Sequence, residues 1–344
     1  LVYNQCLAER KQAYETERKT LTAYDQILTL PVRKQEIPRL KDVYSQVLQD
    51  VPRRLDKAFQ AFFCRIRSGG KPGYPKFRFA RRYDSFTYPQ SGFNLQGNRL
   101  RLSKIGAVSI RLHRPIEGEV KTLTIRRRAG MWFACFSCEV ESQTLPATGR
   151  VAGIDLGVTN LAITSDGEFH PPNRNLRKSE QRLKRLQRAV SRKQKGSRRR
   201  KKAVRQLQKA HLRVANQRRD QAFKATYSLL HKYDALAMEN LQVSNMLQNH
   251  HLAKSIADAS WGIFKNILGA KACEWGRQII FVDPRYTTQE CSRCSAIVHK
   301  PLSQRQHVCP HCGLSIQRDV NAAVNILKRS GLVQAFGDSQ ALAG

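Results

Sequence analysis

Acidic residues are scarce in this chain of 344 residues, which carries 26 Asp and Glu against 61 Lys and Arg and has a formal net charge of +35. Such an excess of one sign destabilises a compact fold by self-repulsion unless a polyanion covers the surface. Solubility alone requires far less charge. We therefore expect nucleic acid as the partner. Hydrophobic residues make up 41% of the chain, enough to form a folded core.

Long apolar runs are also missing. No stretch approaches the roughly 18 residues that a membrane-spanning helix requires, and the mean hydropathy is −0.52. No short apolar segment with a cleavage site opens the chain, so we do not expect a secreted protein. The chain begins with Leu1, inside a predicted helix, which is typical of a fragment of a longer protein.

The nine cysteines do not suggest a disulfide framework, because their number is odd and no export signal is visible. Four of them form two Cys-x-x-Cys pairs, Cys291 with Cys294 and Cys309 with Cys312, separated by 14 residues. A tight turn in each pair points both sulfurs at one ion, and four thiolates complete a tetrahedral Zn²⁺ site with no open position. The spacing predicts a structural zinc ribbon over residues 288–315.

Other metal arrangements remain open at this stage. The four thiols could instead be free or redox-active, and His299, His307 or His311 could replace one cysteine. A third pair, Cys135 and Cys138, lies within a predicted strand, whose period of two sends residues three apart to opposite faces. We therefore expect these two side chains to be small core or half-buried residues.

Apolar periodicity divides the chain into segments. Residues 1–70 show helical spacing and end in a Gly-rich run, whereas residues 71–149 alternate with period two and are broken by Gly and Pro turns. The second segment is predicted to be an all-β module that forms a small barrel. Its predicted strands are Arg99–Leu102, Val108–Leu112, Thr122–Arg126 and Met131–Val140. Residues 150–330 form an α/β domain, and residues 331–344 a loosely ordered tail.

One segment holds over half of the net charge. Residues 174–219 contain 20 Lys or Arg and a single acid, Glu180, and a break around Gly196 predicts an antiparallel helical hairpin over 174–220. A solvated coiled coil is the alternative, but charged helices in water usually mix both signs. A phosphate-facing surface is therefore favoured. The predicted nucleic-acid contacts are Arg182, Lys184, Arg185, Arg188, Arg192, Lys193, Lys195, Arg198, Arg199, Arg200, Lys201, Lys202 and Arg205.

Three carboxylates stand within or at the ends of predicted apolar elements. Asp155 lies in the middle of a Gly-flanked strand, where an unpaired charge is expensive to bury, Glu239 ends a second strand, and Asp319 begins a helix after the cysteine pairs. Taken singly, Asp155 could cap a turn, Glu239 could face water at a strand end, and Asp319 could cap a helix. Together on a basic chain they indicate a site for two divalent cations, which clamp the attacking and leaving oxygens of a phosphodiester.

Four segments occur in an order that closely resembles the nuclease core of the TnpB (OrfB) family of transposon-encoded, RNA-guided endonucleases. These segments are GIDLGVTNLAITSDG (153–167), ALAMENLQV (235–243), VDPRYTTQECSRC (282–294) and CPHCG…RDVNAAVNIL (309–327). The resemblance extends to GYPKFR (73–78), to the basic hairpin and to the segment Ala259–Gly262. It covers most of the chain, and the four segments together make it highly specific.

The resemblance implies a fold, a mechanism and partners. The fold is a RuvC-like, RNase H-type mixed sheet with the zinc ribbon inserted, preceded by a helical recognition lobe and a wedge-like β module. Asp155, Glu239 and Asp319 are its catalytic acids and Mg²⁺ ligands. The partners are a guide RNA made from the element and a double-stranded DNA target. The expected location is the cytoplasm of a prokaryote, in association with the nucleoid.

The sequence also departs from the family pattern and leaves alternatives. Members of the family open with a further strand and a basic, aromatic stretch that would precede Leu1. Asp283-Pro284 offers one more carboxylate, which we interpret as a turn. A catalytically silent nucleic-acid-binding protein of a transposon is the main alternative, and convergence of the three acids separates it from a nuclease. A transposase with tyrosine chemistry is not supported, because no His-hydrophobic-His pair with a partnered Tyr is visible.

Overall fold

The computed structural model of the chain forms two compact units, Leu1–Glu141 and Ser142–Gly344. No helix in the described part of the chain is both long and apolar enough to cross a bilayer. The predicted tail falls, from residue 334 onward, outside that part. The described residues are 1–172, 174–250, 252–301 and 303–333.

Helices form the first half of unit one. They are α1 (Val2–Glu17), α2 (Ala23–Leu28), α3 (Leu30–Glu36) and α4 (Ser45–Arg67), with a short 3₁₀ helix at Pro38–Asp42. A capping box at Thr22 and Asp25 starts α2. Helices α1 and α4 pack through Cys6, Leu7 and Leu55, which are fully buried. Helical structure over this segment agrees with the apolar spacing of the sequence.

Six strands complete unit one. They are β1 (Ser85–Tyr88), β2 (Phe93–Gln96), β3 (Arg99–Leu102), β4 (Gly106–Ser109), β5 (Glu119–Arg128) and β6 (Met131–Glu139), with a 3₁₀ turn at Ala80–Arg82 before them. They form two antiparallel sheets, β1-β5-β6 and β2-β3-β4, around one core that includes Tyr88, Leu100 and Leu123. The predicted single barrel is therefore not confirmed. Every residue of β4 is exposed, so this strand lies at an edge and does not close a barrel.

Two finer expectations for the β module change. The strand expected at Val108–Leu112 begins two residues earlier, at Gly106. In β6, Cys135 and Cys138 differ in exposure, as the period of two requires, but Cys135 is exposed rather than half-buried.

Unit two is built around a mixed sheet with the strand order β11-β10-β7-β8-β9. Strands β7, β10 and β11 are parallel, and β7, β8 and β9 pair antiparallel. The predicted mixed sheet is confirmed. The strands are β7 (Val151–Asp155), β8 (Ala162–Thr164), β9 (Phe169–His170), β10 (Ala235–Glu239), β11 (Gln278–Val282), β12 (Gln306–Val308) and β13 (Ser315–Gln317). The helices are α5 (Asn175–Ser191), α6 (Arg198–Lys232), α7 (Val243–Met246), α8 (Ala253–Ala259), α9 (Trp261–Glu274) and α10 (Arg318–Arg329).

Helices cover both faces of this sheet, which explains why β10 is continuously apolar until its last residue. Alternate side chains of β10 point to opposite faces: Leu236 and Met238 pack with α6 and α9, whereas Ala235 and Ala237 pack towards Ile326 of α10. The small alanines leave room for α10 to lie close to the sheet. That close packing positions the last of the three predicted acids.

Candidate active site and cysteine cluster

Asp155 and Glu239 end adjacent parallel strands. The ladder of β7 and β10 pairs Ile154 with Met238, one residue before each acid, so both carboxylates emerge at the same sheet edge. Both are deeply buried, with 8% of Asp155 and 7% of Glu239 exposed. Glu239 is therefore not the solvated strand end that was the alternative.

Helix α10 brings the third acid. Asp319 lies in its first turn and is 6% exposed. The alternative role as helix cap is wrong, because the side chain of Gln317 accepts the Val320 N–H at 2.8 Å instead. Asp319 accepts a hydrogen bond from Arg318 Nε at 3.0 Å and lies 3.7 Å from the guanidinium of Arg305.

Gly153 allows this arrangement, because it removes a side chain between β7 and α10. A Cβ at this position would lie 2.0 Å from the carbonyl oxygen of Ala323 and 2.7 Å from the amide nitrogen of Leu327. Both atoms are backbone atoms of α10. Gly153 therefore sets the distance between β7, which carries Asp155, and α10, which carries Asp319.

The three carboxylates influence one another electrostatically. Burial and the negative charges of Glu239 and Asp319 raise the pKa of Asp155 to about 8, against the opposing effect of Arg318. Burial also raises the pKa of Glu239, and a hydrogen bond from Thr287 opposes that shift. A site that holds several buried acids in mutual repulsion is one that a divalent cation would stabilise.

The ligand atoms of the three acids are not as close together as those of the four cysteines. Among the described residues, the four paired cysteines are the one set of three or more His, Cys, Asp or Glu whose ligand atoms all lie within 4.8 Å of one another. At least one pair of the three acids is therefore further apart. Asp319 is the acid with ion pairs, to Arg318 and Arg305. Cation binding at all three acids would compete with those pairs.

Thr287 is a site residue that the sequence did not reveal. It is 2% exposed, and its hydroxyl donates a hydrogen bond to Oε1 of Glu239. Asn325 of α10 holds the same segment by donating from Nδ2 to the carbonyl oxygens of Thr287 at 2.9 Å and Glu290 at 2.7 Å. The signal was weak because Thr287 lies in an irregular loop and reaches Glu239 across 48 residues of sequence. In the same loop, Asp283 accepts the Arg285 N–H at 2.9 Å, as expected of a turn.

The four cysteines cluster as the spacing predicts. The sulfurs of Cys291 and Cys312 are 3.6 Å apart, and those of Cys294 and Cys309 are 3.5 Å apart. Tetrahedral zinc with Zn–S bonds of about 2.3 Å requires sulfurs about 3.8 Å apart, so the cluster is compatible with zinc. Within the described ranges, none of the three nearby histidines belongs to this set.

The environment favours the thiolate, the form that binds metal, at two of the four sulfurs. Burial opposes ionisation, but backbone N–H groups within each pair lower the pKa of Cys291 to about 7 and that of Cys309 to about 6. At Cys312 a backbone hydrogen bond at Leu314 lowers the pKa, but burial and the neighbouring sulfurs raise it overall to about 12.

Asn321 connects the cysteine segment to α10, the helix that carries Asp319. Its Oδ1 accepts the Ser292 N–H at 2.9 Å, and its Nδ2 donates to the backbone carbonyl of Glu290 at 2.7 Å.

The basic hairpin has the predicted form. Helices α5 and α6 pack against each other across a six-residue connection, with Leu183, Val190, Ala203 and Leu212 among their buried residues. Of the thirteen basic residues predicted to bind nucleic acid, all are exposed except Lys193 and Arg200, which are half-buried. In the described part of the chain, Lys184 is the one member of this set with an acidic partner, Glu180 at 2.9 Å. Among the described residues, the other twelve members of this set have no neutralising acid.

A second unpredicted contact connects the hairpin to the sheet. The carboxylate of Asp258 in α8 accepts the N–H groups of Leu176 at 2.9 Å and Arg177 at 3.1 Å, at the start of α5. Three residues later, Trp261 Nε1 donates to the carbonyl of Gly157 at 3.2 Å, just after Asp155. The α8–α9 joint thereby contacts both the base of the hairpin and the loop that follows the first acid.

Comparison with known proteins identifies the class of protein. A family profile described as "Probable transposase" (OrfB_IS605) matches residues 135–250, and one described as "Cas12f1-like, TNB domain" matches residues 261–326. These two matches define a transposon-type protein.

Two relatives and one solved structure narrow the assignment. A Streptomyces pristinaespiralis protein named for RNA-guided DNA endonuclease activity is 35% identical, over 98% of this chain and 85% of its own length. Escherichia coli K12 InsQ, named for the same activity, is 31% identical over 98% of this chain and 88% of its own. The chain belongs to the TnpB (OrfB) family. Its fold is also that of a protein chain in a cryo-EM structure of a Cas12f1–sgRNA–target DNA complex, with a TM-score of 0.57, 12% identity, and coverage of 94% and 79% of the two chains.

Proposed function

We propose that this protein is an RNA-guided DNA endonuclease of a transposable element that hydrolyses DNA phosphodiesters at Asp155, Glu239 and Asp319 with Mg²⁺. The observation that carries the proposal is the convergence of three buried acids at one sheet edge of a chain with a net charge of +35. The names of its relatives and its likeness to the Cas12f1 chain support a guide RNA and target DNA as partners.

The residues at the sheet edge suit hard divalent cations, because they offer carboxylate oxygens in a buried setting. When bound, Mg²⁺ supplies stabilisation of the charge that develops on the phosphoryl oxygens. Asp155, Glu239 and Asp319 would hold the cation, and the charges of the other two acids act on Asp155. The Thr287 hydroxyl orients Glu239, and α10 supplies Asp319, which would exchange its ion pairs with Arg318 and Arg305 for the cation. We propose that this domain is RuvC-like.

We further propose that Cys291, Cys294, Cys309 and Cys312 hold a structural zinc ion. Among its described residues, the segment around them contains the three-residue strands β12 and β13, which form a two-stranded sheet too small to be stable alone. Metal ligation supplies the missing folding free energy in such modules. Because the ion would stabilise the segment next to α10, it would also help to hold Asp319 in place.

The exposed cations of the basic hairpin would bind phosphates of the guide RNA and target DNA. We assign recognition of that complex to residues 1–70 and 71–149, the helical and wedge-like segments, and association with the nucleoid follows from DNA binding. The positive charge of the hairpin supports its role in binding phosphates, because phosphate contacts dominate nucleic-acid affinity and are independent of sequence.

A second candidate function is a catalytically silent nucleic-acid-binding protein. Two observations favour it: Asp319 forms ion pairs with Arg318 and Arg305, and the ligand atoms of the three acids do not all lie within 4.8 Å of one another. The test purifies the chain with its copurifying RNA, sequences that RNA, and offers DNA matched to its guide portion in the presence of Mg²⁺. Cleavage by the parent and none by the Asp155→Asn variant supports the endonuclease. Binding of matched DNA without cleavage by the parent supports the silent protein.

A further inference from the structure

An aromatic and basic segment of unit one has no role in the site described above. Between Asp56 and Asp84 the sequence contains eight Lys or Arg and no acid. It includes GYPKFR (73–78), and its end alternates cations with aromatic rings: Lys76, Phe77, Arg78 and Phe79. Residues 70–79 form neither helix nor strand, so their side chains are not presented by a regular element.

The rings nevertheless form an ordered cluster with α4. Tyr74 meets Phe59 edge-on at 5.5 Å and Phe62 at 5.3 Å between ring centroids, and Phe62 in turn meets Phe63 at 5.1 Å. Lys11 of α1 places its ammonium 5.7 Å from the centroids of both Tyr74 and Phe77. The edge-on contacts with Phe59 and Phe62 fix the plane of the Tyr74 ring.

The backbone of this segment is tied down at two points. Arg65 of α4 donates to the carbonyl of Gly73 at 3.1 Å. Asn4 of α1 makes a reciprocal pair with the backbone of Arg78, at 2.8 and 3.0 Å. The aromatic side chains between these points are therefore held in place before any ligand arrives, which lowers the entropic cost of binding.

The aromatic side chains are exposed although burial would stabilise them. Phe63 is 49% exposed, Tyr74 42%, Phe77 53% and Phe79 76%. Four exposed aromatic side chains within one short stretch of unit one indicate an interaction site. Protein-binding surfaces are depleted of charge at their centre. Here a Lys ammonium lies over the rings, and the cations alternate with the aromatics, so the surface fits a ligand with both flat apolar faces and negative charge.

We propose that this aromatic–basic patch, composed of Phe63, Tyr74, Phe77 and Phe79 with Lys11 and Lys76, stacks unpaired bases of RNA. Unpaired bases stack on aromatic side chains whatever their sequence, while neighbouring cations contact the phosphates. Duplex RNA cannot use the patch in this way because its bases are already stacked. The inference rests on the proposed function only for the choice of RNA as the occupant, and it does not involve the three acids.

The test measures the affinity of the full chain for a short unstructured RNA across a range of salt concentrations. Phe77→Ala should weaken binding by about 10-fold, because one stacked base is lost, with no change in salt slope, because no charge is removed. Lys76→Gln should reduce the salt slope by about 0.7. Phe169→Ala is the matched control, since this Phe is 49% exposed but lies in β9 of unit two. The same RNA annealed to its complement should bind Phe77→Ala and parent equally.

A second measurement locates the RNA directly. Protein expressed in cells fed 4-thiouridine is irradiated, and the crosslinked peptides are identified. We expect crosslinks at Tyr74, Phe77 or Phe79. Unchanged affinity of Phe77→Ala and Phe79→Ala, with no crosslink between residues 59 and 79, would overturn the inference while leaving the proposed function intact. If the parent chain retains no RNA, the proposed function itself fails. Both replaced rings are at least half exposed, so unfolding midpoints should match the parent.

Discussion

Gly153→Ala is the sharpest test of how the fold builds the site. Gly153 precedes Asp155 by two residues in β7, and an added Cβ would lie 2.0 Å from the carbonyl oxygen of Ala323 and 2.7 Å from the amide nitrogen of Leu327. Side chains can rotate away from such a contact, but these atoms belong to the backbone of α10. The whole helix must therefore move away from the sheet, and Asp319 moves with it.

The expected cost follows from this geometry. Overpacking a core by a methyl group costs about 1–3 kcal/mol, and a clash with helix backbone puts this case at about 3 kcal/mol or above. For a domain of this size, each kcal/mol shifts the melting temperature by roughly 2–4 °C. We therefore expect the melting temperature of unit two to fall by roughly 6–12 °C. Cleavage should also fall at temperatures where the variant is still folded, because Asp319 is displaced from Asp155.

The assay is thermal unfolding followed by circular dichroism, with Gly269→Ala as the matched control. Gly269 lies within α9, and an added Cβ there meets no atom within 4 Å. Ala should stabilise that helix by up to about 1 kcal/mol, since Gly is the poorer helix former. The reasoning is refuted if Gly153→Ala melts together with the parent, or if both glycine variants shift in the same direction.

The remaining predictions concern the acids, the cysteines and Thr287. Burial gives Asp155 a folded pKa of about 8 against an ordinary value of 3.8, so its contribution to the stability of the metal-free fold is greatest below pH 4 and is lost as pH rises to 8. At pH 7 without metal, Asp155→Asn should therefore have a higher free energy of unfolding than the parent, by a few kcal/mol at most, and a higher melting temperature. Equal melting temperatures at pH 7 would contradict this. Zinc chelation or Cys309→Ser should unfold the segment around the cysteines, seen as rapid amide exchange of residues 291–312; unchanged protection after chelation would count against the zinc site. Thr287→Val should slow cleavage about 10-fold and raise the Mg²⁺ concentration needed, because Glu239 loses its hydroxyl donor, whereas Thr287→Ser keeps the donor and should retain the rate; equal rates for both would remove Thr287 from the site.

Local features of the chain were predictable because they depend on neighbours in sequence. The cysteine spacing, the apolar strand that ends at Glu239 and the helix that begins near Asp319 follow from short-range pattern. Asp155 was expected in the middle of its strand, but β7 ends at this residue. Strand β11, Gln278–Val282, is likewise a short apolar run. Such elements are set by periodicity, by the turn residues at their ends and by burial on both faces.

Features that depend on contacts distant in sequence were not predictable. Nothing local to Thr287 indicates that its hydroxyl reaches Glu239, and nothing local to Asp258 indicates that it accepts the first amides of α5. The division of the β module into two sheets depends on which strands pair, and alternation alone does not fix pairing. The cap of α10 was equally hidden, since Gln317 and Asp319 are both able to accept the amide of Val320.

The most direct test of the central claim separates binding from cleavage in one pair of proteins. The parent and Asp155→Asn are each purified with guide RNA, with any upstream segment of the natural protein included, and offered guide-matched DNA with Mg²⁺. Phosphate contacts carry most of the affinity, so both should bind the DNA equally and lose affinity with salt at the same slope. We expect the parent to cut the DNA and Asp155→Asn to leave it intact. Cleavage by Asp155→Asn at the parental rate would contradict the assignment of the three acids as the active site.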